Sequence, residues 1–148
     1  LRALVISGCV SATPDGIELL VATHPTLQRL DVAGCIGLGG TVLSFVAERG
    51  PRMVRLPNID DSSIARFASA CPKLEELHLS DSPMVTGACL ETFGRSPPGA
   101  FPSLTELRLN SCVSVDDAGL LVILGACPRI QTLSLSGSGV SQEALVQA

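Results

Sequence analysis

The sequence predicts an α/β fold, a solenoid of about six repeats with a parallel sheet on its concave face and helices on its convex face. Two observations lead to this prediction. A short apolar pattern, Pro-x-Leu-x-x-Leu-x-Leu or a close variant, recurs along the whole chain. Each copy is followed by turn residues and then by a stretch with helical periodicity, so that every repeat supplies one strand and one returning helix.

The spacing of the copies indicates the type of solenoid. They open at residues 1, 27, 53, 74, 104 and 130, so that successive steps are 26, 26, 21, 30 and 26 residues. Steps of this length are typical of leucine-rich repeats, and we predict one such domain over residues 1–148. The pattern opens inside a strand without the polar cap that solenoid ends need. We therefore expect these residues to be a segment of a longer protein.

The first three repeats share the order of elements and differ in their turns. In the first, Thr13 is a helix cap and Pro14 occupies the first helical position. The second helix has a glycine-rich start at residues 38–43. The third repeat has lost about five residues between its strand and its helix. Pro57 falls in this shortened turn and cannot donate to a sheet ladder, so we expect the sheet to be bent or unpaired there.

The fifth repeat shows the pattern best. Residues 104–109 alternate as a strand should, residues 110–114 have turn chemistry, and residues 115–127 form a helix that Asp116 and Asp117 stabilise at its positive end. The fourth repeat has gained a loop at residues 93–100. Such a loop is tolerated at small entropic cost, and it can also be a binding element. The sixth repeat is cut short within its helix.

Composition favours a protein partner over other classes. Apolar residues make up 46% of the chain although Trp and Tyr are absent, as expected for a core of stacked Leu, Val and Ile. The missing aromatic rings and the net charge of −4 argue against nucleic-acid binding. No apolar run approaches the ~18 residues of a membrane span. Because a solenoid presents a wide surface and few enclosed cavities, we predict binding to another protein.

The six cysteines occupy repeated positions. Three follow the third apolar strand residue by three positions, two precede the proline of the next repeat, and one lies in a helix. In that order they are Cys9, Cys35, Cys112, Cys71, Cys127 and Cys89. This placement predicts small buried side chains and reduced thiols, and hence an intracellular compartment, whether cytoplasmic, nuclear or organellar. Since no Cys-x-x-Cys pair is present, the sequence predicts no zinc site, and it predicts no other cofactor.

Strand alternation assigns the predicted binding surface, because residues that flank the inward-pointing leucines face outward. One expected row of neighbours is Ala3, Arg29, Arg55, Glu76, Glu106 and Thr132. It places two arginines and then two glutamates side by side, which is unfavourable unless a partner carries the complementary charges. The alternative is that exposed charges only keep the sheet soluble. The predicted partner-binding residues are Arg29, Asp31, Arg55, Glu76, His78, Glu106, Arg108 and Asn110.

His78 is the histidine on this predicted surface. Glu106 and Arg108 are expected close to it, but no Ser or Cys stands in a base–nucleophile arrangement with it. We interpret His78 as an exposed contact residue. The sequence accordingly predicts neither catalytic nor metal-binding residues, and it predicts that the chain is not an enzyme.

The repeat string resembles the cysteine-containing subclass of leucine-rich repeats. It is clearest in Leu-x-x-Leu-x-Leu-x-x-Cys at residues 104–112, followed by Asp-Asp-Ala-Gly-Leu at 116–120 and Cys-Pro-Arg-Ile at 127–130. That subclass is similar to the repeat domains of F-box proteins, the substrate receptors of Skp1–cullin ubiquitin ligases. At the cysteine position, the third, fourth and sixth repeats carry Asp61, Ser82 and Ser138 instead. The link to the ligases therefore rests on the type of repeat.

Two functions are compatible with this resemblance. It implies a non-catalytic adaptor or substrate receptor that captures a protein on the concave sheet, while an F-box outside these residues recruits the Skp1–cullin ligase. Related repeats also serve as scaffold subunits of mitochondrial, ciliary and other large assemblies. In that alternative, the convex helices and the 93–100 loop would contact neighbouring subunits as much as the concave sheet does.

Overall fold

A computed structural model describes residues 1–95 and 101–147, and it confirms the predicted α/β solenoid. Strands and helices alternate along the chain, and six strands pair in one parallel sheet in sequence order. The strands are β1 Ala3–Val5, β2 Arg29–Asp31, β3 Met53–Arg55, β4 Glu76–His78, β5 Glu106–Arg108 and β6 Thr132–Ser134. The helices are α1 Pro14–Thr23, α2 Thr41–Ala47, α3 Asp61–Ala70, α4 Gly87–Arg95, α5 Asp117–Ala126 and α6 Gln142–Gln147.

Strand pairing corrects the predicted start of the third repeat. Met53 pairs with Arg29 on one side and with Glu76 on the other. The residue equivalent to Leu27 and Leu74 is therefore Pro51, which is buried as they are. The predicted opening at Met53 lies two residues too late. The steps around this repeat are 24 residues, from 27 to 51, and 23 residues, from 51 to 74.

The core is a stack of equivalent apolar residues, and burial is deepest in the middle of the sheet. The central residues of the four inner strands are at most 1% exposed: Leu30, Val54, Leu77 and Leu107. Their equivalents in the outer strands, Leu4 and Leu133, are only partly buried. An outer repeat has a neighbour on one side only. Full burial of such a side chain contributes ~1.5–3 kcal/mol, so the inner repeats contribute most to stability.

One equivalent position in every repeat has a left-handed backbone conformation, with φ between +52° and +78°. These residues are Gly8, Gly34, Asn58, Asp81, Ser111 and Gly137. Each directly precedes the position at which Cys9, Cys35 and Cys112 stand. In the third repeat that position is consequently Ile59, which is fully buried, and the prediction of Asp61 there is wrong. The shared turn geometry explains how a shortened repeat still joins the solenoid.

The cysteine position ties each repeat to the one before it. The Cys35 thiol donates to the carbonyl of Ile6, and the Cys112 thiol donates to the carbonyl of Leu79, each at 3.2 Å. Ile6 and Leu79 are equivalent residues, so the same bond occurs in two places. None of the six cysteines forms a disulfide, and all except Cys9 are buried. The prediction of reduced thiols is confirmed, whereas the predicted burial is wrong for Cys9.

Helices α1, α3 and α5 begin at polar side-chain caps, and the predicted cap at Thr13 is confirmed. The side chain of Thr13 accepts from the N–H of Gly16 at 3.2 Å, and Pro14 follows as the first helical residue. Asp60 and Asp116 cap α3 and α5 by accepting from the N–H groups of residues 63 and 119. These bonds satisfy backbone donors that have no partner within the helix.

The second aspartate of each Asp-Asp pair binds the next repeat. Asp61 accepts from the N–H of Thr86 at 2.8 Å and from its hydroxyl at 2.6 Å. Asp117 accepts in the same way from Ser141, at 2.7 and 2.8 Å. Asp116 and Asp117 therefore have different roles. The first completes its own helix, and the second holds the following repeat in place.

Backbone hydrogen bonds between adjacent repeats continue past the ends of the strands, and they are interrupted around Pro57, as predicted. Elsewhere the left-handed residue donates to the next repeat, for example from Gly8 to Ala33 at 2.7 Å and from Asp81 to Asn110 at 2.8 Å. In the described part of the chain, the equivalent bonds from Gly34 to Pro57 and from Asn58 to Ser80 are not formed. The bond from Gly34 would be accepted by the carbonyl of Pro57, which a proline still has. The N–H group that Pro57 lacks therefore does not explain why this bond is absent.

The predicted start of the inserted loop is wrong. Residues 93–95, which we expected at its start, belong to α4, and residues 96–100 lie outside the described residues. Among the helices within 1–95 and 101–147, none has the length and apolar character needed to cross a membrane.

Candidate protein-binding surface

The outward side chains of the six strands form the surface that we call the sheet face. Its first row is Ala3, Arg29, Met53, Glu76, Glu106 and Thr132. Its second row is Val5, Asp31, Arg55, His78, Arg108 and Ser134. Asn110 follows two residues after Arg108 on the same side. The fold thus brings all eight predicted binding residues to neighbouring positions.

The predicted order of charges along the first row is wrong. Arg55 belongs to the second row, where it pairs with Asp31 and His78, and Met53 stands in the first row in its place. No two arginines are direct neighbours in either row. The two glutamates, Glu76 and Glu106, do lie opposite each other, as predicted.

Each arginine of the sheet face has an acidic partner. Arg29 and Arg55 lie 3.6 Å from the carboxylates of Glu76 and Asp31, respectively. The Nε of Arg108 lies 2.6 Å from Glu106. The arginine side chains are 47–55% exposed, whereas the three acids are 14–30% exposed. A partner would therefore meet guanidinium groups first, with the carboxylates beneath them.

His78 is buried, at 7% exposure, and the prediction that it is exposed is wrong. Its Nε2 lies 3.1 Å from Oε1 of Glu106. Burial, followed by the nearby charge of Arg108, lowers the pKa of His78 below its usual value. A lowered pKa keeps the ring neutral near pH 7, so it pairs with Glu106 as a neutral hydrogen-bond donor. The hydrogen bond from Arg108, with a smaller contribution from His78, lowers the pKa of Glu106 below its usual value.

Asp31 and Asn110 mainly organise the sheet face. Asp31 accepts from the hydroxyl of Ser7 at 2.8 Å and from the N–H of Ala33 at 3.0 Å. The side-chain oxygen of Asn110 accepts from the hydroxyl of Ser134 and the N–H of Ser136, both at 2.9 Å. Asp31 is thus engaged with the preceding repeat and with its own backbone, and Asn110 is engaged with the following repeat. Of the predicted residues, the arginines are the freest to contact a partner.

Sequence reasoning missed a cleft beside the interrupted ladder. It has a volume of about 170 Å³, and its lining includes Arg55, Pro57, Asn58 and Ser80. Ile36, one of the most exposed apolar residues, lies at its rim. The shortened turn of the third repeat could have indicated this cleft. Where the hydrogen bonds between two repeats are missing, space is left at that edge of the sheet.

A second concavity lies on the helical side, between α2 and α3. It has a volume of about 570 Å³, and Leu43, Ala47, Arg66 and Phe67 are among its lining residues. The sequence did not predict it, since helix spacing depends on packing between repeats.

Comparison with known proteins supports the assignment of the fold. A family model described as a leucine-rich repeat matches residues 102–124, within the fifth repeat. The sheet order and the recurring turn are those that this repeat requires. The chain has a leucine-rich-repeat fold, that of a protein-interaction module. Its repeats resemble those of F-box proteins, as predicted.

The chain has a curated relative in Arabidopsis thaliana, GRR1-like protein 1. The two are 27% identical over 176 aligned residues, which span 99% of this chain and 30% of the relative. The chain thus covers less than a third of that relative's length. Among solved structures it is similar to a chain in the crystal structure of the Rad7 and Elc1 complex in yeast. The TM-score is 0.58 at 18% identity, over 90% of this chain and 42% of that one, which shows a shared fold.

Proposed function

We propose that this chain is the partner-binding part of a non-catalytic adaptor of the F-box type, and that it captures a protein substrate on the sheet face. The observation that carries the proposal is the arginine layer: Arg29, Arg55 and Arg108 stand half-exposed over acids on one continuous face. The similarity to GRR1-like protein 1 across 99% of the chain supports the F-box type. A ligase partner of the Skp1–cullin class would bind outside these residues, in an intracellular compartment.

Exposed arginines suit this role for a physical reason. Arg is enriched at the energetically important positions of interfaces, because its planar group can donate several hydrogen bonds and stack on flat partners. The acids beneath hold each guanidinium in place, which reduces the entropy that binding would remove. The surface is electrically balanced, so we expect specific contacts to matter more than long-range attraction.

Photo-crosslinking in the full-length protein tests the surface. A photoreactive amino acid replaces Arg55 or Arg108 on the sheet face, or the exposed Arg129 outside it as a control. We expect a protein adduct from the sheet-face positions and none from position 129. Adducts from position 129 alone would contradict the proposed surface. Copurification of Skp1 and a cullin tests the ligase assignment separately, because it does not depend on which face binds the substrate.

The concavity between α2 and α3 favours a second candidate function, that of a scaffold subunit that contacts its neighbours through the helices. In that case a photoreactive residue at Ser44, which lines the concavity, would give the adduct. The sheet-face positions would then give none, and the protein would copurify with a large assembly.

A further inference from the structure

Three side chains on the sheet face lie closer to one another than their ion pairs alone require. Glu76 and His78 lie two residues apart on β4, so they project to the same side of the sheet. Glu106 lies opposite Glu76 on β5. One oxygen or nitrogen atom from each residue lies within 4.8 Å of the other two. These three residues combine an imidazole with two carboxylates, which is a set of metal ligands.

The distance between two of these atoms already fits a shared metal ion. Nε2 of His78 and Oε1 of Glu106 are 3.1 Å apart. A zinc ion at its usual ~2.0–2.2 Å from both atoms would subtend an angle of roughly 95–100° between them. That angle lies between the values for octahedral and tetrahedral coordination. The metal would take the place of the proton that the two atoms now share.

Two arginines compete with a cation for the carboxylates. Arg108 contacts the same Oε1 of Glu106 that faces His78, so a metal bound between those two atoms would displace this arginine. Arg29 lies 3.6 Å from Glu76, a separation longer than a hydrogen bond. Both arginines are about half-exposed, so they can turn into solvent at small cost. They lower the affinity of the site without blocking it.

We propose that Glu76, His78 and Glu106 form a binding site for a divalent transition-metal ion of the zinc class. Imidazole nitrogen favours such ions over Mg²⁺ and Ca²⁺, which prefer oxygen ligands alone. Three protein ligands leave at least one coordination position open, as in zinc sites that also bind water or a second molecule. The site would lie in the middle of the sheet face. The proposal does not depend on the adaptor function.

Titration with zinc chloride tests the proposal, with isothermal calorimetry and, for Co²⁺, visible absorption as readouts. A Cys9→Ser background removes the exposed thiol as an alternative ligand. We expect one ion per chain and no sulfur-to-metal charge-transfer band with Co²⁺. His78→Gln should weaken binding at least tenfold. His24→Gln, which changes the chain's other histidine, is the matched control and should leave the affinity unchanged.

Arg108→Gln tests the site in the opposite direction, and it changes an exposed residue, so it should not disturb folding. Without its competing charge, zinc should bind several-fold more tightly. Circular dichroism establishes that each variant is folded. Should His78→Gln fail to fold, Glu106→Gln takes its place with the same expected loss. Zinc binding that is absent, or that neither the ligand variants nor Arg108→Gln alters, would overturn the proposal.

Discussion

Arg29 reaches Glu76 across an intervening strand. Their charged groups are 3.6 Å apart, although Arg29 lies on β2, Glu76 lies on β4, and β3 separates the two. Met53 is the residue between them in the first row, and it is only 7% exposed. The ion pair thus spans an apolar side chain that faces away from the main core. This arrangement explains how a methionine is buried on the solvent side of the sheet.

Met53→Ala should destabilise the protein although the residue lies on the sheet face. Removal of a buried methionine side chain costs about 2–5 kcal/mol in a closed core, and we expect the lower end here because the cover is a mobile ion pair. Chemical denaturation measures the loss. Met84→Ala is the matched control, since Met84 is 67% exposed, and it should change stability by less than about 0.5 kcal/mol. Equal effects would show that Met53 is not buried.

Gly87→Ala should destabilise the contact between α4 and α5. A Cβ atom at Gly87 would lie 2.7 Å from the carboxylate of Asp116, which caps the neighbouring helix. We expect the free energy of unfolding to fall by about 1–3 kcal/mol, as it does at other overpacked sites. Gly125→Ala is the control, because a Cβ there meets nothing within 4 Å. It should instead stabilise α5 by about 0.5–1 kcal/mol, which thermal unfolding would register as a higher midpoint.

Thiol labelling of the native protein should modify Cys9 quickly and the other five cysteines slowly. Burial raises the pKa of Cys71 to about 12 and that of Cys127 to about 11, and it also raises the pKa of Cys112 and Cys89. Little reactive thiolate therefore forms at these four residues at neutral pH, and Cys35 is buried away from the reagent. In denaturant, all six should react together. A mass shift on reduction of the native protein would reveal a disulfide and contradict the free-thiol assignment.

Asp61→Ala should weaken the link between the third and fourth repeats. It removes both hydrogen bonds from Thr86, whose N–H and hydroxyl would lose their partner. We expect the free energy of unfolding to fall by about 1–3 kcal/mol. Asp15→Ala is the control, since Asp15 lies in the first turn of α1 and should cost at most about 1 kcal/mol through the helix dipole. Hydrogen exchange should rise around residues 85–88 in the first variant only.

Asp60 should make the stability of α3 depend on pH in the acid range. Hydrogen bonds from Ser63 lower the pKa of Asp60 below its usual value. A group whose pKa is lowered by folding stabilises the protein above its unfolded pKa of about 3.9, and the contribution is lost as the pH falls through the folded value. Asp60→Ala should therefore cost about 1 kcal/mol at pH 7 and progressively less below about pH 4. Denaturation curves across this range measure the difference, and a constant difference would contradict it.

Sequence periodicity was sufficient for the parts of the fold that depend on local pattern. The six strands, the returning helices, the Thr13 cap and the reduced cysteines all follow from the spacing of residue types. The family resemblance followed from the same spacing. Each of these features is determined within one repeat, where the order of residues dictates the geometry.

The tertiary structure decided the alignment of the third repeat. A two-residue shift leaves every side chain on the same side of a strand, because strand periodicity is two. Alternation therefore placed Arg55 outward correctly but could not distinguish Met53 from Pro51 as the opening residue. Backbone pairing with β2 and β4 resolves it. Alternation also placed Glu106 near His78, but it could not predict that His78 is buried, since the exposure of a sheet residue depends on how the side chains of adjacent repeats pack around it.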